Sequence, residues 1–76
     1  MLLSSVKLGE KVRVIKIDAE RLLHAQLSHM GLREGDILRV LQNNHGDLIV
    51  AKGHLRLALG RAMTRKLWVE KKQGHD

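Results

Sequence analysis

The segment Met30-Gly31-Leu32-Arg33-Glu34-Gly35-Asp36-Ile37 limits the folds open to this chain more than any other. An apolar pattern with helical spacing runs into Gly31, and Gly35-Asp36 opens a run of strand-forming residues. Two glycines four apart, with apolar Leu32 between them, describe a helix stop followed by a turn into a strand. The segment contains no catalytic group, so it points toward a compact binding module and away from an enzyme. Gly31 and Gly35 are expected to be structural turn residues, as is Gly53 further on.

On the N-terminal side of this junction, Leu8-Gly9-Glu10 reads as a turn and Lys11 to Ile17 as a first strand, rich in β-branched residues. Val12 and Val14 share one face while Ile15 and Ile17 lie on the other. That change of phase predicts a bulge, or a strand buried on both sides for part of its length. Asp18 stands where an N-cap belongs. From Ala19 to Met30 the spacing is helical, with Leu23, Leu27 and Met30 within about 40° of arc. Gly31 is the expected left-handed C-cap.

After Gly35-Asp36 the sequence predicts a second strand over 37–41, a polar hairpin loop over 42–47, and a third strand over 48–52. A turn at Gly53 leads to an alternating fourth strand over 54–59. A short helical turn over 60–66 and a last strand over 67–69 follow. Residues 1–72 are expected to form a single, mainly β domain, and 73–76 a disordered polar tail. Five short strands with one inserted helix predict a small barrel closed by its last strand, because closure removes exposed edges.

Composition narrows the function. No cysteine is present, which removes disulfides and thiolate metal sites and fits a cytoplasmic setting. No apolar run approaches the roughly 20 residues that span a bilayer, so contact with a membrane is expected to be peripheral at most. The formal net charge is +6. Residues 1–51 carry seven Lys/Arg against six Asp/Glu, while residues 52–76 carry seven against two, so the basic character sits in the C-terminal third. Such a region suits nucleic acid, anionic headgroups or an acidic protein surface, and equally a solvated face. Trp68 is the only aromatic residue. Base-stacking nucleic-acid modules and proline-rich peptide binders both need several rings, so a specific nucleic-acid partner is not expected.

Chemistry-bearing groups are sparse. No serine lies in elbow-type glycine spacing, and Lys52-Gly53-His54 lacks the glycines that cradle phosphates. Asp36 reads as a turn residue. Of the five histidines, His24 and His29 are five apart, about 140° around a helix, and cannot share one ion. His45 in the hairpin loop and His54 before the fourth strand could approach each other in a barrel, and a metal site there would still need an acidic partner such as Asp47. Those three are the candidate ligands for a divalent transition metal, Fe2+ or Zn2+. Against that stands the plainer reading of exposed polar loop residues.

Taken together these residues resemble the FeoA family of small cytoplasmic proteins associated with bacterial ferrous iron uptake. The resemblance runs over about residues 5–70. It begins at Leu8-Gly9-Glu10 and the Val12/Val14/Ile15/Ile17 strand, and passes through Leu23, Leu27 and Met30-Gly31-Leu32 to Gly35 and Ile37. It ends with Gly46-Asp47, Gly53 and Leu57-Ala58-Leu59-Gly60-Arg61. Gly60 departs from the family, which often has arginine there.

The resemblance implies an SH3-like β-barrel with a helical insertion and a non-enzymatic accessory role toward the membrane ferrous iron transporter FeoB, which carries a GTP-binding domain. Arg56, Arg61, Arg65 and Lys66 are the residues expected at a partner contact, with the helix as a second surface. Direct metal binding or sensing, as in the related domains of iron-dependent repressors, and nonspecific nucleic-acid binding are the alternatives. Self-association is left open.

Overall fold

The computed structural model describes residues 1–72, and the expected tail over 73–76 lies outside them. The order of elements is a 3-10 turn (Leu3–Ser5), β1 (Lys11–Ile17), α1 (Arg21–His29), β2 (Ile37–Asn44), β3 (Asp47–Lys52), β4 (Leu55–Leu59), α2 (Arg61–Thr64) and β5 (Leu67–Lys71). The strands form one antiparallel sheet in the order β4-β3-β2-β1-β5. This is the expected mainly β architecture of five strands with an inserted helix and a helical turn before the last strand.

Closure is the part that differs. Among the described residues no ladder joins β4 to β5. Instead the outer edge of β5 is covered by the N-terminus: the Met1 amine donates to the Val69 carbonyl at 3.0 Å, and the Val69 N–H donates to the Met1 carbonyl at 2.8 Å. Leu2 and Trp68 form the next bridge. A strand end that cannot reach its distant neighbour satisfies its backbone with the nearest extended segment.

β1 carries the predicted bulge. Its pairing with β5 shifts register between Val14 and Lys16, so Ile15 is the extra residue. Val12, Val14 and Ile17 are all buried, while Ile15 is 47% exposed. The alternative of a strand buried on both faces is therefore replaced by a bulge that returns Ile17 to the inner face.

The junction at 30–37 braces that bulge. Val14 donates its N–H to the Asp36 carbonyl at 2.9 Å and accepts from Gly35 N–H at 2.7 Å. Ile17 N–H donates to the Glu34 carboxylate at 3.1 Å.

α1 is shorter than its apolar pattern at both ends. Asp18 is not the N-cap: its N–H donates to the Lys66 carbonyl at 2.8 Å, which extends the β1–β5 ladder and delays the helix to Arg21. Glu20 takes the N-cap position without a side-chain bond. At the other end Gly31 has φ +85, Gly31 N–H donates to Ser28 O and Leu32 N–H to Leu27 O. These two bonds, with buried Leu27 and Leu32, are a Schellman stop.

The hairpin loop is also shorter than predicted. β2 runs to Asn44 and β3 starts at Asp47, leaving a two-residue turn of His45 (φ 56) and Gly46 (φ 96). Positive φ at both positions matches the twist of the flanking strands, so pairing continues up to the turn. β4 begins at Leu55 rather than 54, and β5 extends to Lys71.

The core is aliphatic throughout: Leu3, Val6, Val12, Val14, Leu27, Leu32, Leu38, Val40, Leu48, Val50, Leu59, Leu67 and Val69 are each at most 2% exposed. Leu3 and Val6 come from the N-terminal segment, which the sequence reading did not assign to the core. Leu27→Ala removes a fully buried helix contact and is expected to cost about 2–5 kcal/mol in urea unfolding. Leu22→Ala, at a position 81% exposed, is expected to change stability by less than about 0.5 kcal/mol.

Candidate functional site

The densest polar chemistry lies where the β2–β3 turn docks against α2 and the N-terminal segment. Asn43, on β2, donates from Nδ2 to the Ser4 carbonyl at 3.1 Å and the Val6 carbonyl at 2.8 Å. Its Oδ1 accepts from Gly46 N–H at 2.9 Å. Thr64, the one buried polar side chain among the described residues, donates from Oγ1 to the Gly46 carbonyl at 2.6 Å. A Cβ on Gly46 would sit 3.1 Å from Cβ of Arg61, so both close approach and a positive φ ask for glycine here.

Asp47 completes this contact. Its Oδ1 accepts from Arg61 N–H at 2.8 Å and its Oδ2 from the Arg61 guanidinium at 3.3 Å. Those bonds, the backbone one first, hold the Asp47 carboxyl below its ordinary value. Asp47 thus acts as a side-chain cap on the first residue of α2. The sequence reading proposed it as a metal ligand and Arg61 as a partner contact; the structure joins the two to each other.

The candidate ligands His45 and His54 are not brought together. His45 is in the turn before β3 and His54 in the turn after it, so the length of the strand separates them. Among the described residues no group of three His, Asp or Glu side chains is arranged to hold an ion. The donor set His45, Asp47 and His54 therefore does not fit Fe2+ or Zn2+, which need convergent ligands.

A second polar cluster surrounds Asp36. Its Oδ2 accepts from Arg33 N–H at 2.7 Å and pairs with the Lys52 ammonium at 3.0 Å. Lys52 also donates to the Gly31 carbonyl. One lysine of the basic third thus ties β3 to the helix stop, a role with no local signal in the sequence. Lys71 similarly pairs with Glu10 at 2.9 Å, which with Lys7 N–H lowers the Glu10 carboxyl. The turn residues Gly31, Gly35 and Gly53 all have positive φ.

The remaining predicted contact residues are spread. Arg56 is exposed on β4 at one end of the sheet order, and Lys66 leads into β5 at the other. Arg65 lies one turn after Arg61 on the segment that crosses between them, its N–H donating to the Arg61 carbonyl at 3.1 Å. Arg56, Arg65 and Lys66 carry side chains with no bonded partner among the described residues. Trp68, expected in the last strand, faces outward from β5 beside Lys16 and is 39% exposed. Beside α1, a groove is lined by Ile17, His24, Ser28, Leu32, Arg33 and Glu34. No described helix is long and apolar enough to cross a membrane.

Comparison with known proteins follows the same lines. The family model described as the FeoA domain matches residues 1–71. A protein of Methanocaldococcus jannaschii named as an Fe(2+) transport protein A is 37% identical over 68 residues, covering 90% of this chain and 83% of its own length. The crystal structure of an iron uptake regulatory protein (FeoA) superposes with a TM-score of 0.87 at 29% identity, over 95% of this chain and 97% of that one. A manganese-dependent transcriptional repressor in complex with manganese gives a TM-score of 0.88 at 24% identity, over 95% of this chain and 36% of the repressor. That last likeness is one of fold alone.

The Asp47 contact has a pH signature. A carboxyl held below its unfolded value adds stability that is fully present above that value, near 3.8, and is lost as pH falls through the lowered folded value. Asp47→Asn is therefore expected to lower Tm at neutral pH, and the gap to the parent chain to narrow below about pH 4. Thermal unfolding monitored between neutral pH and pH 2.5 checks this.

Proposed function

This chain belongs to the FeoA domain family, and from that premise we propose that it is a non-enzymatic accessory protein of ferrous iron transport. Its partner in this reading is the cytoplasmic part of a FeoB-like membrane transporter with a GTP-binding domain, and docking modulates that transporter's activity or assembly. The cytoplasm is then its compartment. Iron is the cargo of the system rather than a resident ion of this chain.

The observation that carries the reading is the family match over residues 1–71. The charge distribution supports it. Arg56, Arg65 and Lys66 are exposed and their side chains are unbonded among the described residues, so each is a cation that can complement an acidic partner and speed encounter. Arg61 contributes differently: its guanidinium is held by Asp47, so it presents a fixed donor rather than a mobile one. The helix α1, with exposed Leu22 and the groove at its foot, is the second surface for docking.

The test is binding of the purified chain to the cytoplasmic GTP-binding segment of a FeoB-like transporter, with GTP hydrolysis followed in parallel. We expect association that weakens as salt rises, and a change in hydrolysis rate on saturation. Replacing Arg56, Arg65 and Lys66 by Glu together is expected to reduce affinity by at least about tenfold, with the circular dichroism spectrum unchanged. Undiminished binding by that triple variant would remove the basic surface from the reading.

A further inference from the structure

The two edges of the sheet are treated differently. The β5 edge is closed by Met1 and Leu2 through paired backbone bonds. The β4 edge has nothing comparable: among the described residues its strand makes backbone ladder bonds only to β3. β4 has only two of the devices that blunt a free edge, its shortness and the charge of Arg56. It has no proline and no lysine, its register with β3 is regular from Leu48↔Leu59 to Lys52↔Leu55, and Arg56 is its only charge. Leu55 is 56% exposed on it, Arg56 and Ala58 are exposed, and Leu57 is half-buried.

We propose that β4 pairs with β4 of a second copy of this chain, antiparallel and centred on Leu57, to give a closed two-fold dimer. The register follows from charge. A two-fold axis through Leu57 sets Leu55 opposite Leu59 of the other copy and Arg56 opposite Ala58. It also sets His54 opposite Gly60, so no like charges face each other. An axis through Arg56 instead places the two guanidiniums directly opposite, which is unfavourable. Centring on Leu57 continues the inner row of Leu55, Leu57 and Leu59 across both copies, sets half-buried Leu57 against its own copy and brings exposed Leu55 beside Leu59.

Assembly stops at two because, among the described residues, the other sheet edge is covered at Trp68 and Val69 by residues 1–2. Strand addition through β4 is therefore isologous and closes. With five residues per strand the contact falls below the size of standard interfaces, so its dissociation constant is expected on the order of 0.1 mM. Each copy carries a net charge of +6, so added salt is expected to strengthen the dimer by screening repulsion. That sign is opposite to the one expected for docking on an acidic partner. Arg56 belongs both to this interface and to the basic surface proposed for docking, so the two readings are told apart by Ala58, which only the dimer uses, and by the opposite sign of the salt effect.

The test uses the intact chain in sedimentation velocity from about 10 µM to about 1 mM. Weight-average mass is expected to rise toward two chains and level there. Ala58 is exposed, so exchanging it leaves the core untouched while placing a charge opposite Arg56 of the other copy. Ala58→Glu is expected to tighten the dimer several-fold and Ala58→Arg to loosen it several-fold. Arg56→Glu combined with Ala58→Arg restores it.

Ser28, exposed on α1, serves as the net-charge control: Ser28→Glu and Ser28→Arg are expected to move the constant much less. Hydrogen exchange on the unaltered chain is expected to show protection of amides within 55–59 rising with concentration. A chain monomeric to 1 mM overturns the proposal. So does growth past two chains, or Ala58 variants that only track net charge as the Ser28 variants do.

Discussion

The bracing of the β1 bulge by the 31–37 turn is the constraint on which the rest of the sheet depends. β1 is the strand that pairs both with β2 and with β5, so its geometry sets the position of two neighbours. One extra residue at Ile15 interrupts the ladder and would leave backbone groups of β1 unpaired. The turn supplies the partners: Asp36 and Gly35 bond Val14, and Glu34 takes the N–H of Ile17. Asp36 is in turn held by Lys52 and by Arg33 N–H, so β3 and the helix stop share one carboxylate.

A second brace works at the other end of the hairpin. The turn at His45-Gly46 is pinned from three sides, by Asn43 to the N-terminal segment, by Thr64 to the Gly46 carbonyl and by Asp47 to Arg61. The connection through α2 crosses from β4 to β5, and these bonds fix where it crosses. In a domain this small the aliphatic core alone leaves a narrow margin, so capped ends and satisfied turns carry a large share of the specificity. Both braces use residues of opposite charge from distant parts of the chain. The formal excess of cations in the C-terminal third is therefore smaller at the surface than in the sequence, with Lys52, Arg61 and Lys71 already engaged.

Much of the architecture was legible residue by residue. The Val12/Val14 to Ile15/Ile17 phase change located the bulge, and Gly31 after Leu27 located the helix stop, because both signals arise within a few residues. Local signals misled where a distant strand competed for the same group. Asp18 has the chemistry of an N-cap, but its N–H is taken by Lys66, and the polar run 42–47 pairs almost fully because a two-residue turn suffices. The arginines proposed for a partner contact come from the charge distribution of the sequence. Asp47 and Arg61 were found separately and their partnership was not, since fourteen residues divide them in sequence. Lys52, Asn43 and Thr64 gave no local sign of their roles.

The sequence by itself determined the family, the mainly β class, the order of the elements and the inward rows of Val, Ile and Leu. Those follow from periodicity, turn chemistry and glycine placement, which act over short stretches of chain. Tertiary structure alone decided that the sheet stays open, that residues 1–2 cover one edge and leave β4 bare, and that His45 and His54 lie apart. It also decided which cations remain free. The physical reason is that edges, ion pairs and ligand sets are formed by groups far apart in the chain. Which of them meet depends on the twist and register of the whole sheet.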